Sequence, residues 1–244
     1  MNAFLDKFIM ILLVATCSSC SQPDAGKLFN TGCSKYTSGD FAGAIAEFDK
    51  AIQIDPNYVK AYNNRGLAKD ALKDEAGAIA DYTRAVELNP KYQFGYYNRG
   101  NAEANLQDFT NAVSDYDKAI ELNPQDTAAY LNCGNTKYRL NDYTGAIADF
   151  DKAIELNPRY DKAYNSRAAA KNHLNDYRGA ILDCNKAIEI NARYAEAYNN
   201  RGTAKRGLKD YDSAIADYDK AIEINPNYTK AITSRAEVQA LKGQ

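Results

Sequence analysis

The stretch Asp142-Tyr-Thr-Gly-Ala-Ile-Ala-Asp-Phe-Asp-Lys-Ala-Ile-Glu-Leu-Asn-Pro158 decides how this chain folds. Tyr143, Ala146, Ile147, Phe150, Ala153 and Ile154 recur within it at steps of three and four, which places them on one face of an α-helix. Asp142 stands just ahead of that helix, where a carboxylate can accept from the unpaired amides of the first turn, so it is the predicted N-cap. Asn157-Pro158 closes the stretch, because a proline there cannot continue the helix.

The same pattern returns every 34 residues in both directions. Pro56, Pro90, Pro124, Pro158 and Pro226 fall on one frame, with Ala192 in the remaining slot. Six units result without an insertion: residues 25–58, 59–92, 93–126, 127–160, 161–194 and 195–228. Counting each unit from 1 to 34, aspartate holds position 16 (Asp40, Asp74, Asp108, Asp142, Asp176, Asp210), and alanine holds positions 20 and 27 throughout. Position 24 is Phe48, Tyr82, Tyr116, Phe150, Cys184 and Tyr218, and position 8 is Gly32, Gly66, Gly100, Gly134, Ala168 and Gly202. Each unit therefore reads as a helix, a tight turn and a helix. A single unit cannot cover its own apolar face, so neighbours must stack. Residues 229–244 read as one further first-type helix over the last unit, with Ile232 and Ala236 at positions 4 and 8 and a solvated surface of Lys230, Ser234, Glu237 and Lys242.

The period and these fixed positions resemble the tetratricopeptide repeat. The resemblance covers everything after the first two dozen residues, with two regular departures: tyrosine replaces the usual tryptophan at position 4, and arginine the usual leucine at position 7 in four units. It implies an all-α, right-handed superhelical solenoid of antiparallel helix pairs. It also implies that first helices line a concave groove into which positions 2, 5, 6, 9, 12 and 13 point. Position 6 is Asn30, Asn64, Asn98, Asn132, Ser166 and Asn200. A row of amides offers donors and acceptors to the backbone of an extended peptide, as in the asparagine ladder of peptide-binding members. The competing reading is repeat consensus copied by duplication, with no ligand. Phe94, Tyr97 and Tyr138 gather toward the third and fourth units, where aromatic anchors would make a hot spot. The family's carboxylate clamp needs lysine at position 5, which here reads Phe29, Asn63, Tyr97, Leu131, Asn165 and Asn199, so an acidic chaperone tail is not expected.

Arg65, Arg99, Arg167 and Arg201 at position 7 co-occur with Asp81, Asp115, Asp183 and Asp217 at position 23. Structural ion pairs are expected, arginine being suited to bidentate geometry; the alternative is a column of ligand contacts. Cys133 breaks the arginine series while Asp149 remains, with Lys137 as the available substitute.

Thirty basic and 32 acidic side chains give no field to recruit nucleic acid. Five cysteines lack metal-knuckle spacing outside Cys17 and Cys20, and the lone His173 has only Asp176 as a near acidic neighbour, so no metal site is expected. There is no nucleophile–base pair at plausible spacing and no glycine-rich phosphate loop. The expectation is a non-enzyme without cofactor or small-molecule substrate, whose partner is a protein or peptide.

At the start, Lys7 precedes the apolar run Phe8–Val14, too short for a bilayer span. This is the pattern of a secretory signal, and the cysteine after small residues resembles a bacterial lipobox. Cys20 is favoured for acylation, with Cys17 the alternative, giving residues 1–19 as signal peptide and 20–24 as tether. A plain signal peptide or uncleaved anchor with two incidental thiols competes with this. The expectation is an exported interaction scaffold, lipid-anchored in a bacterial cell envelope and touching membrane only through the lipid. The alternatives are a periplasmic or secreted soluble protein, and an assembly component docking through its outer faces.

Overall fold

The computed structural model describes residues 24–243; the signal sequence and both candidate lipidation sites, Cys17 and Cys20, lie outside the described residues. Thirteen helices follow one another: α1 (Ala25–Thr37), α2 (Phe41–Ile54), α3 (Val59–Ala71), α4 (Glu75–Leu88), α5 (Gln93–Asn105), α6 (Phe109–Leu122) and α7 (Thr127–Arg139). The series continues with α8 (Tyr143–Leu156), α9 (Asp161–His173), α10 (Tyr177–Ile190), α11 (Ala195–Gly207), α12 (Tyr211–Ile224) and α13 (Thr229–Lys242).

Local chemistry sets these boundaries. All six position-16 aspartates cap the second helix of their unit by accepting from the backbone N–H at position 19. Where position 19 is glycine the bond is 2.9–3.0 Å. It lengthens to 3.4 Å at Asn111 and 3.3 Å at Ser213. A Cβ on Gly43 would sit 2.0 Å from the cap carboxylate, so any side chain at position 19 pushes the cap outward. The turn before each cap puts position 15 in the left-handed region, at Gly39, Lys73, Gln107, Asn141, Asn175 and Lys209. After the second helix, the position-31 side chain accepts from the backbone N–H two residues on in every unit, at Asp55, Asn89, Asn123, Asn157, Asn191 and Asn225. Asn191 does this ahead of Ala192 as well as its counterparts do ahead of proline, because the Asx turn needs the carboxamide and not the ring.

Inside a unit the helices cross where position 8 meets position 24. A Cβ on Gly66 would lie 2.6 Å from Tyr82, and one on Gly134 would lie 2.6 Å from Phe150. The fifth unit solves the same contact the other way, with Ala168 against the small Cys184, both fully buried. Buried alanines at positions 3, 20 and 27 let neighbouring helices approach closely along the rest of the array.

Successive first helices touch one another (α1 with α3, α3 with α5, and so on to α13), whereas no contact joins successive second helices among the described residues. The first helices thus line the inner, concave side of a right-handed solenoid. At the start, α1 carries Lys27 and Ser34 at positions 3 and 10, which are Ala231 and Val238 in α13 and buried there against the sixth unit. The expected anchors of α13, Ile232 and Ala236, are exposed. Position 8 packs against position 24 of a unit's own second helix, and α13 has none among the described residues.

Candidate functional site

The asparagine column is partly engaged within the array. Asn98 Nδ2 donates to Asn63 Oδ1 at 2.9 Å, and Asn200 Nδ2 donates to Asn165 Oδ1 at 2.9 Å. Asn132 Nδ2 donates to the Tyr97 hydroxyl at 3.1 Å and to Asn101 Oδ1 at 3.0 Å. Asn64 Nδ2 donates to Cys33 Sγ and its Oδ1 accepts from Asn63. Position 6 of one unit is therefore stitched to the unit before it, chiefly to position 5. The one break in the column follows from this: Ser166 stands opposite Leu131, which has nothing to accept with. Asn200 is buried, Asn30 is exposed at the array's start, and Asn98 and Asn132 are half-buried on the groove wall.

The three aromatic candidates occupy separate places, and no ring contact joins them to one another among the described residues. Tyr97 packs edge-on against Tyr116. Tyr138 packs against Tyr143 and His173, and those two rings stack on each other at 4.5 Å. Phe94 is 57% exposed and meets only Tyr92 edge-on.

The position-7 arginines are structural. Each donates through Nε and Nη2 to both carboxylate oxygens of its position-23 partner, at 2.5–2.9 Å. Each also lies over the position-4 tyrosine ring of its own helix, 5.2–5.7 Å from the centroid. Its remaining Nη1 reaches position 25 of the preceding unit: Asp49, Thr83, Asp151 and Asn185. The two departures from family pattern, tyrosine at 4 and arginine at 7, are thus one device. Lys137 replaces the missing arginine beside Cys133, pairing with Asp149 at 2.8 Å, and burial pushes the Cys133 thiol up.

Two contributions escaped the sequence reading. Position 25 binds the next unit's arginine, and position 11 supplies a lysine to the position-23 carboxylate, as Lys69, Lys171 and Lys205 do at 2.7–2.8 Å. The lysine period was visible in the sequence, but its partner required the helix crossing angle. The third unit inverts this charge: Glu103 stands where the lysine belongs. Burial first, then the Asp115 carboxylate, push the Glu103 pKa up to about 7.

The widest opening on the concave wall is a cleft of about 410 Å³ between α5 and α7. Asn101, Asn105, Asn132, Asn135, Phe109 and Arg139 line it. The Asn101 oxygen accepts from the Tyr116 hydroxyl at 2.7 Å and from Asn132, so the unengaged capacity of Asn101 is its Nδ2 hydrogens. Asn132, with its hydrogens engaged, keeps its oxygen.

A family model described as Tetratricopeptide repeat matches residues 59–92, 94–126, 127–160 and 195–228, more than half of the chain, and a second, described as TPR repeat, matches 32–72. The unit outside these segments, 161–194, carries Ala168, Cys184 and Ala192 at three of the repeat's fixed positions. No curated protein matches the sequence significantly. Among solved structures the chain is similar to YrrB, described as a TPR protein with an unusual peptide-binding site, at 22% identity over 78% of this chain and 97% of that one, with TM-score 0.68. It is similar also to a tetratricopeptide repeat protein from Parabacteroides merdae, at 20% identity over 89% and 86%, TM-score 0.75. Pseudomonas aeruginosa pilF matches at 16% identity over 87% and 97%, TM-score 0.74. At these identities the likeness is one of fold.

Proposed function

Because this chain belongs to the tetratricopeptide repeat family, we propose that it is a non-catalytic interaction scaffold that holds an extended peptide or protein segment along its concave face. The observation that supports this reading most is the cleft between α5 and α7. There the wall opens among carboxamides that keep one unengaged donor set, at Asn101, and one unengaged acceptor, at Asn132. A peptide backbone presents the same pair of complementary groups at each residue, so such a wall holds an extended segment without reading its side chains. Photo-crosslinking from the exposed Asn135, followed by capture, is the direct test. The expected result is a partner lost on Asn98→Ala with Asn101→Ala and kept on a charge change of the outer surface.

Leu182 favours a second reading, docking through the outer helices as an assembly component, because it is 70% exposed on α10. Leu182→Glu would then abolish capture while the groove variants leave it intact.

Export and lipid anchoring belong to the same proposal and rest on the sequence of residues 1–24 alone. The apolar run followed by small residues and cysteine supports a signal with acylation at Cys20, or at Cys17. Labelled fatty acid is expected to enter the chain and to be lost on replacing both cysteines with serine; absence of label, or its retention in that variant, rejects the anchor.

A further inference from the structure

We propose that the α5–α7 cleft anchors its peptide through a carboxylate, held by Arg139. This rests on the groove-binding reading and names the chemistry of what binds there.

The cleft exists because of one residue. Position 12 carries Tyr36, Asp70, Tyr138, Asn172 and Arg206 in the other units, but Ala104 in the third, and Ala104 lines the opening. The missing side chain leaves the space. Its lining contains one cation and no acid. The Arg139 guanidinium lies over the Phe109 ring, 5.1 Å from the centroid, and engages no carboxylate among the described residues. This sets it apart from the position-7 arginines, whose forks are already filled by aspartates. A ring-stacked guanidinium keeps its N–H edge directed away from the ring plane's neighbour and open to a planar, two-oxygen acceptor. The Nδ2 hydrogens of Asn101 add neutral donors to the same lining, whereas a cationic ligand would meet Arg139 with no acid to offset it. Carboxylate is the complementary group, from an aspartate or glutamate side chain or from a chain terminus. The site is distinct from a lysine clamp, since it uses positions 9 and 13 of adjoining units and a single arginine.

The test screens the full chain against a library of seven-residue peptides in two formats, C-terminally amidated and free acid. Binders from the amidated format are expected to share an aspartate or glutamate at one position if the side chain is the source. Enrichment in the free-acid format alone identifies the terminal carboxylate. Either way, Arg139→Gln is expected to weaken the best binder about 10- to 100-fold, the strength of one charge-assisted pair. Ala104→Tyr, a residue that two other units carry at this position, is expected to close the cleft and do the same while circular dichroism and melting stay unchanged. Binders that carry no carboxylate, or carboxylate binders indifferent to both variants, overturn the proposal while leaving the groove reading in place. A library that yields no binder displaced by Asn98→Ala with Asn101→Ala overturns both.

Discussion

Asn199 is fully buried, and neither end of its carboxamide has a partner. In the second and fifth units the asparagine at the same position accepts from the next unit's position-6 asparagine. In α13 that position is Ser234, and no bond forms. The fourth and fifth units show the apolar solution to the same pairing, Leu131 opposite Ser166. Asn199→Leu is therefore expected to raise stability by about 1–3 kcal/mol in urea unfolding, the cost of an unsatisfied buried amide. Ser234→Asn is expected to add about 1 kcal/mol by supplying the missing donor. A loss of stability in both variants would contradict this account. Glu103 is the matching electrostatic anomaly. Its carboxyl binds its proton more tightly in the folded state, near 7 against an ordinary 4.5, so its contribution is fully present below about 4.5 and is lost as pH rises through 7. Glu103→Lys restores the pairing with Asp115 that the other units have. The variant should exceed the parent in stability at pH 8 by more than it does at pH 5; a gap independent of pH would show that the two carboxylates do not interact.

At the scale of the helix pair, the position-23 aspartate decides more than any other polar residue. The Asp183 side chain is 6% exposed and engages both Arg167 and Lys171, whereas that of Asp151, which reaches the same arginine from the preceding unit, is 54% exposed. Removing the first leaves two half-buried cations without an acceptor, and Asp183→Ala is expected to cost about 3–5 kcal/mol. Asp151→Ala breaks a solvated pair and is expected to cost at most about 1 kcal/mol. Equal effects from the two substitutions would sink this ranking. The bidentate pair was legible because arginine and aspartate co-occur at a fixed offset of 16 residues, and the caps were legible because aspartate precedes an apolar period. The role of position 25 was not: Asp49, Thr83, Asp151 and Asn185 share no charge, and only the stacking of one hairpin on the next brings them to the arginine. The asparagine column shows the same limit. Its spacing announces a continuous row, yet which hydrogens are engaged depends on the neighbour at position 5, and that residue varies between asparagine, tyrosine and leucine. The cleft was equally hidden, because it is made by a side chain that Ala104 lacks.

Over the whole molecule, contacts run only between adjoining units, so the array should open from its ends rather than in one step. Each unit's interior is a small cluster around its position-24 side chain. Phe150 sits in one joined by Ala163 and Ala170 from the next unit, whereas Val238 joins Tyr218 and Ala214 at the last contact of the series. Phe150→Ala is expected to cost about 3–5 kcal/mol, as large-to-small substitutions of buried aromatics do. Because Phe150 bonds its unit to the following one, the loss should appear in amide hydrogen exchange across α7 to α10. Val238→Ala removes less volume, and its faster exchange should be confined to α12 and α13, with α3 to α8 keeping their parent protection. The contrast follows from one-dimensional coupling: a defect inside the array weakens interfaces on both sides, while one at its edge has a neighbour on one side only. Uniform loss of protection from α1 to α13 in either variant would mean that the solenoid unfolds as a single cooperative body. The groove would then have no independent local motion with which to admit a partner between α5 and α7.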